Sequence, residues 1–205
     1  MKAIIFDIGE VLVKHKKPKN IAAGSFLVPS PGKLEWGPET VRALSGFERG
    51  FFSSWAFYRK LLPHMKQKIS FANFKKKWVA IFDWQFEMAA FAKQLHNAGY
   101  KVGIVSNIDK LAYTAVMKKY GLKSFLDASA LSFKVHARKP SRMIFRSIVR
   151  QLKEKPKDCV FIDDLPRHCR AAKKLVGFRT VCYKNIQQLK KELGQAGVKV
   201  NGAVE

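Results

Sequence analysis

The first apolar run, "AIIF" at residues 3–6, has no polar interruption and ends on a carboxylate, Asp7. Four or five such residues are too few for a helix and predict a strand buried on both faces. From residue 86 onward, two periods alternate. Met88, Phe91, Ala92 and Leu95 recur at helical spacing within 87–98, and Gly99 marks the stop. "YKVGIVSN" then reads as a buried strand, 110–120 as a helix closed by Gly121, 127–133 as a segment holding a short strand, and 141–153 as a helix beginning after Pro140. "DCVFIDD", 166–175, "FRTVCY" and 186–193 continue as strand, helix, strand and helix. This alternation predicts βαβ units: an α/β fold with a Rossmann-like parallel sheet and helices on both faces.

Residues 14–85 break the rhythm. "KHKKPK" is followed by the Pro/Gly-rich "VPSPGKLEWGP" and then by aromatic helical stretches. In "SFANFKKKW", Phe71, Phe74 and Trp78 share one helix face while Lys75 to Lys77 point mostly outward. The segment is expected to be a small helical cap inserted after the first strand, dividing the chain into a core of 1–13 and 86–205 and a cap of 14–85.

The polar residues that end the strands carry the chemistry. Ligands of open α/β sheets bind beyond the carboxyl ends of the strands. Asp7 ends the first strand, Ser106 and Asn107 end "VGIV", Lys139 follows the strand-like "LSFKV", and Asp163 and Asp164 end "CVFI". One such acid could be a helix cap; four such ends in one chain describe a site. Two or three carboxylates suit Mg²⁺, a hard cation, while a hydroxyl, an amide and a lysine suit phosphate oxygens.

The order "FDIGEVL", "IVSN", "RKP", "FIDD" resembles the haloacid dehalogenase superfamily, in particular its phosphatase-like branch with a small helical cap, the group of sugar phosphatases and epoxide-hydrolase N-terminal domains. "FERG" at 47–50 and "AAKKLVGF" at 171–178 also resemble segments of that branch. The resemblance implies a phosphate monoesterase in which Asp7 is nucleophile and metal ligand and Ser106 with Asn107 binds phosphate. It further implies that Lys139 steadies the nucleophile and the transferring group, and that Asp164 and the Gly9 carbonyl complete the Mg²⁺ ligands. Asp163 would then act from the outer shell or orient Lys139.

Two positions depart from that pattern. Gly9 stands where most family phosphatases have a second aspartate that serves as acid and base, and His168 where the branch has Asn or Asp. General acid–base help accelerates such reactions by roughly 10²–10⁴-fold, so a chain without it should favour good leaving groups such as sugar 1-phosphates or aryl and tyrosyl phosphates. Glu10 and His15 are the nearest substitutes, and His15 reads first as a surface histidine.

Charge widens the picture without settling it. The 205 residues carry 39 Lys plus Arg against 15 Asp plus Glu, a formal +24. That field suits a polyanionic partner such as nucleic acid, unless the whole source proteome is lysine-rich. "KHKKPK", with Lys14, Lys16, Lys17 and Lys19, would concentrate anions at the mouth of the site, or is a solvated loop. A catalytically weakened basic binding protein is therefore the competing expectation. Halide displacement needs no metal and leaves Asp163 and Asp164 without a purpose. Three cysteines, Cys159, Cys169 and Cys182, lack CxxC spacing and read as reduced thiols. No apolar run reaches the roughly 20 residues of a membrane span, Asp7 and Glu10 interrupt the one signal-like stretch, and a cytoplasmic protein is expected.

Overall fold

The structure, a computed structural model, describes residues 1–15 and 34–199. Its elements run β1 (Ala3–Phe6), β2 (Val13–His15), α1 (Pro38–Glu48), α2 (Ser54–Leu61), α3 (Phe71–Val79), β3 (Phe82–Trp84), α4 (Phe86–Asn97), β4 (Lys101–Ser106) and α5 (Lys110–Tyr120). They continue with β5 (Ala128–Leu131), α6 (Ser132–Val135), α7 (Arg142–Leu152), β6 (Cys159–Asp163), α8 (Pro166–Val176), β7 (Arg179–Cys182) and α9 (Ile186–Gln195).

Five strands form a parallel sheet in the order β5-β4-β1-β6-β7. β1 is central, which explains its unbroken apolar sequence: alternate residues face opposite layers and both layers are covered. Ile4 and Phe6 join Val102, Ile104, Val160 and Ile162 against the apolar stripe of α4 and α9, including Phe91, Leu95, Leu189 and Leu193. Ala3, Ile5, Val105 and Phe161 face the other way, onto Ile144, Phe145 and Ile148 of α7 and Ala172 of α8. The expected α/β architecture is therefore present, with Asp7, Ser106 and Asp163 all at the carboxyl end of adjacent strands.

α1, α2 and α3 build a core of their own. Phe47, Phe57, Leu61, Phe74 and Trp78 are buried together, with Phe47 and Phe57 stacked at 4.2 Å between centroids. Burying a side chain of this size contributes about 1.5–3 kcal/mol, enough for a short helical layer to hold its shape. Phe74 and Trp78 are buried as their spacing predicts, and Phe71 packs at the margin. β2 and β3 pair antiparallel, Val13 opposite Trp84 and His15 opposite Phe82, forming a ribbon at the two ends of the helical layer. Lys14 lies on this ribbon; Lys16, Lys17 and Lys19 of "KHKKPK" lie outside the described residues. No helix among the described residues is long and apolar enough to cross a membrane.

One local expectation fails. "LSFKV" is not a strand beyond Leu131: Ser132–Val135 form a helical turn, α6. The Ser132 hydroxyl accepts the Ile108 N–H at 2.9 Å and faces the Glu48 carbonyl of the helical layer, so tertiary partners outweigh the alternating pattern.

Candidate active site

The site is built on the ends of β1, β4 and β6 and on the loop after α6 that carries Lys139. Asp7 follows β1 and is fixed by its own backbone, its N–H donating to the Ile162 carbonyl at 2.9 Å and its Oδ1 accepting from Ile8 N–H at 2.7 Å. Ser106 closes β4 and is buried, and Asn107 follows it. The Asn107 amide is engaged with the main chain of Lys139: Oδ1 accepts its N–H at 2.7 Å and Nδ2 donates to its carbonyl at 3.2 Å. Asn107 thus holds the lysine loop in place, with one amide hydrogen left over for a ligand.

Lys139 is the centre of the arrangement. Its Nζ lies 2.7 Å from Asp7 Oδ2 and 2.6 Å from Asp163 Oδ2, with the three side chains at most one-tenth exposed. Burial works against the lysine's charge, but Asp7 and Asp163 outweigh it and raise the ammonium's pKa. Asp163 is buried too; Lys139 and then His168 overcome that burial and hold its carboxyl down at about 2. Asp7 comes out the other way: burial raises its pKa, Lys139 lowers it, and Asp163 raises it again.

His168 enters the site although the sequence presented it only as a departure. It sits in the first turn of α8, is buried, and places Nδ1 3.0 Å from Asp163 Oδ1. The same oxygen accepts the Leu165 N–H at 2.9 Å. Asp163 is accordingly occupied on both oxygens, Oδ2 by Lys139 and Oδ1 by Leu165 and His168.

Asp164 completes a cluster: an oxygen each of Asp7, Asp163 and Asp164 can lie within 4.8 Å of the others. Burial, then the neighbouring charges of Asp7 and Asp163, push the Asp164 carboxyl up to about 7. Three carboxylates facing one lysine leave an excess of negative charge, and hard oxygen donors in that number suit a divalent cation of the Mg²⁺ type. The donor set therefore fits such an ion. Gly9 lies just beyond Asp7 in the turn that leads to β2, bridged to Val13.

The helical layer closes over these strand ends through contacts that no short motif encodes. Trp78 donates its indole N–H to Asp109 Oδ2 at 2.9 Å, and Asp109 Oδ1 caps α5 by accepting from Ala112 N–H at 2.9 Å. Arg138, next to Lys139, pairs with Glu48 at 3.0 Å. Gly50, at φ +74, ends the "FERG" turn so close to the core that a Cβ there would run into the Phe133 carbonyl.

Comparison with known proteins gives the arrangement its relatives. A curated flavin mononucleotide hydrolase of Arabidopsis thaliana is 30% identical over 89 residues, 43% of this chain; the match spans about a third of that relative's length, 36%. A HAD-like family hydrolase of Porphyromonas gingivalis superposes with a TM-score of 0.73 at 19% identity, over 97% of this chain and 98% of that one. A HAD family enzyme of Bacteroides thetaiotaomicron, solved with magnesium and inorganic phosphate, superposes with a TM-score of 0.70 at 17% identity, over 90% and 94% of the two chains. The family model described as haloacid dehalogenase-like hydrolase matches residues 1–175, from the strand before Asp7 to the helix after Asp164, and the chain belongs to that family.

Proposed function

We propose that the chain is a Mg²⁺-dependent phosphohydrolase that cleaves a phosphate monoester through an aspartyl-phosphate on Asp7. The observation that carries this reading is the buried Lys139 ammonium held between Asp7 and Asp163, with Asp164 alongside. A nucleophilic carboxylate works in its ionised form, and in this buried site the lysine is the group that favours that form against burial. Magnesium and phosphate bound to the Bacteroides thetaiotaomicron enzyme support the choice of ion and ligand.

In this reading Asp7, Asp164 and the Gly9 carbonyl would hold the cation, with Asp163 in the outer shell. The ion would supply Lewis-acid neutralisation of the phosphoryl oxygens. Ser106 and the free hydrogen of Asn107 would bind those oxygens, and Lys139 would balance the charge that gathers on them. Asp163, fixed by His168 and the Leu165 N–H, would keep Lys139 aimed at Asp7. The cap, residues 14–85, would cover the substrate; the separate apolar core of α1 to α3 supports that division.

The competing reading, a weakened basic binding protein, draws on the +24 charge and on Gly9. It leaves unexplained why three carboxylates and a lysine stay packed together at an energetic cost, since buried charges are tolerated only when paired.

The test is hydrolysis of a panel of 4-nitrophenyl phosphate, phosphotyrosine, glucose 1-phosphate and flavin mononucleotide with Mg²⁺, Mn²⁺ or Co²⁺. Turnover that disappears with a chelator and in Asp7→Asn is expected. Absence of turnover across the panel would overturn the reading in favour of the binding protein.

A further inference from the structure

Gly9 leaves position 9 without an acid, and the structure fills that position from elsewhere. A Cβ on Gly9 would lie 3.4 Å from Cε1 of His15, so the imidazole sits in van der Waals reach of the point where a side chain at position 9 would begin. His15 reaches it from β2, the outgoing strand of the ribbon. The ring leans on Phe82 of β3, with centroids 5.6 Å apart. Its side chain is 23% exposed, open enough to meet a substrate and to exchange protons with water.

The ring is also oriented. Nδ1 lies 2.8 Å from Glu10 Oε1, and the same oxygen accepts the His15 main-chain N–H at 3.0 Å. An ionised carboxylate can only accept, so the Nδ1 proton faces Glu10 and Nε2 is the nitrogen left for chemistry. A carboxylate behind one ring nitrogen fixes the tautomer and the orientation of the ring. The backbone is bent to make this contact. Glu10 sits at φ +55, a left-handed conformation uncommon for a residue with a side chain, in a tight turn where the Leu12 and Val13 N–H groups both donate to the Ile8 carbonyl at 2.9 Å.

We propose that His15, oriented by Glu10, is the general acid and base of this active site, replacing from the flap ribbon the carboxylate that Gly9 lacks. The proposal rests on the phosphohydrolase reading. In the first step an Asp7 oxygen bonds to phosphorus, the bond from phosphorus to the ester oxygen breaks, and His15 Nε2–H gives its proton to that oxygen, releasing an alcohol. In the second, neutral Nε2 takes a proton from water as the water oxygen bonds to phosphorus. The bond from phosphorus to Asp7 breaks, freeing inorganic phosphate and restoring the carboxylate and the imidazolium. The sum is ester plus water giving alcohol plus phosphate. Such a chain is not confined to good leaving groups.

The experiment is a leaving-group series, from 4-nitrophenyl phosphate to alkyl phosphates, read as kcat/KM in the unmodified chain, His15→Gln and Glu10→Gln. The unmodified chain should depend weakly on leaving-group pKa. His15→Gln should depend steeply, losing roughly 10²–10⁴-fold on alkyl phosphates while sparing 4-nitrophenyl phosphate, and should show a burst of one nitrophenol per enzyme as dephosphorylation stalls. Glu10→Gln, which keeps the imidazole, should steepen the dependence less. Gly9→Asp added to His15→Ala should recover alkyl phosphate hydrolysis at least about tenfold, since general acid catalysis is what the new carboxylate returns. A loss in His15→Gln that is equal for all leaving groups, or no loss, overturns the dyad alone. An unmodified chain that hydrolyses nothing overturns the phosphohydrolase reading and the dyad with it.

Discussion

Trp78 and Asp109, 31 positions apart in sequence, meet through a buried hydrogen bond of 2.9 Å that ties the last helix of the aromatic layer to the cap of α5. Burial raises the Asp109 pKa, while the Ala112 N–H and the indole N–H favour its charged form. Trp78→Phe keeps the apolar face and deletes the donor. It is expected to cost about 1–3 kcal/mol, the usual penalty for leaving a buried polar group short of a partner. Urea unfolding checks this, and an unchanged midpoint would mean that packing alone holds the layer down.

The carboxylate cluster predicts metal binding independently of turnover. Saturating Mg²⁺ should raise the melting temperature of the unmodified chain, because an ion bound at 100 times its Kd stabilises by about 2.7 kcal/mol, or roughly 5–10 °C for a chain of this size. Asp164→Asn should abolish most of that shift. Differential scanning calorimetry with and without chelator gives the answer, and equal shifts in both proteins would move the metal centre elsewhere.

Lys139→Met should be inactive and should also unfold more easily. It strips Asp7 and Asp163 of the ammonium between them, and breaking a buried pair by removing one partner typically costs about 3–5 kcal/mol. Added Mg²⁺ should recover part of the stability and none of the turnover. Full activity in this variant would dismiss Lys139 from the chemistry.

Glu48 gives a pH dependence with a definite sign. Its burial, only partly offset by Arg138, pushes its carboxyl up to about 7, against 4.5 in the ordinary state. The folded chain therefore binds the proton more tightly than the unfolded chain does. The resulting stabilisation is complete below about pH 4.5 and disappears as pH rises through 7, a swing of at most about 3 kcal/mol. Glu48→Gln should lower the slope of the stability curve between pH 5 and 8, leaving the share that Asp164 contributes in the same window, measured by denaturant titration at each pH. A curve identical to that of the unmodified chain would remove Glu48 as its source.

The fold was legible because each part of it rests on a local pattern. "AIIF" is apolar throughout because β1 is covered on both faces, and the ends of β1, β4 and β6 announce the site because an acid or a hydroxyl interrupts an apolar run at each. What was not legible depends on partners far away or on backbone geometry. "LSFKV" alternates like a strand, but Ser132 has partners at Ile108 and Glu48 that coil it into α6. That Asn107 grips the Lys139 main chain was not legible, because motif position says nothing about that contact. His15 looked like a surface histidine because its approach to Gly9 depends on the left-handed backbone of Glu10, which composition does not favour. His168 marked a departure in the sequence, and only packing turns it toward Asp163.

The lysines of "KHKKPK" yield a prediction that separates recognition from bulk charge. Replacing Lys14, Lys16, Lys17 and Lys19 with glutamine should lower kcat/KM for a polyanionic phosphate ester and spare a small one, with the difference vanishing at high salt as screening shortens the reach of the field. Equal effects on both substrates would return the segment to a solvated loop.

The central place of β1 has a consequence for how the molecule is made. Its residues precede both of their strand neighbours in the sequence, Lys101 to Ile104 on one side and Cys159 to Ile162 on the other. A ribosome adding roughly 5–20 residues per second leaves Ile4, Ile5 and Phe6 without their second neighbour until Cys159 to Ile162 have emerged. Meanwhile the aromatic layer from Pro38 to Val79 can already gather its own core. Asp7 thus waits for Lys139 and Asp163, which follow it by more than a hundred positions, before its buried ion pair can form. Until those partners are made, the short and wholly apolar strand Ala3–Phe6 is open to chaperones.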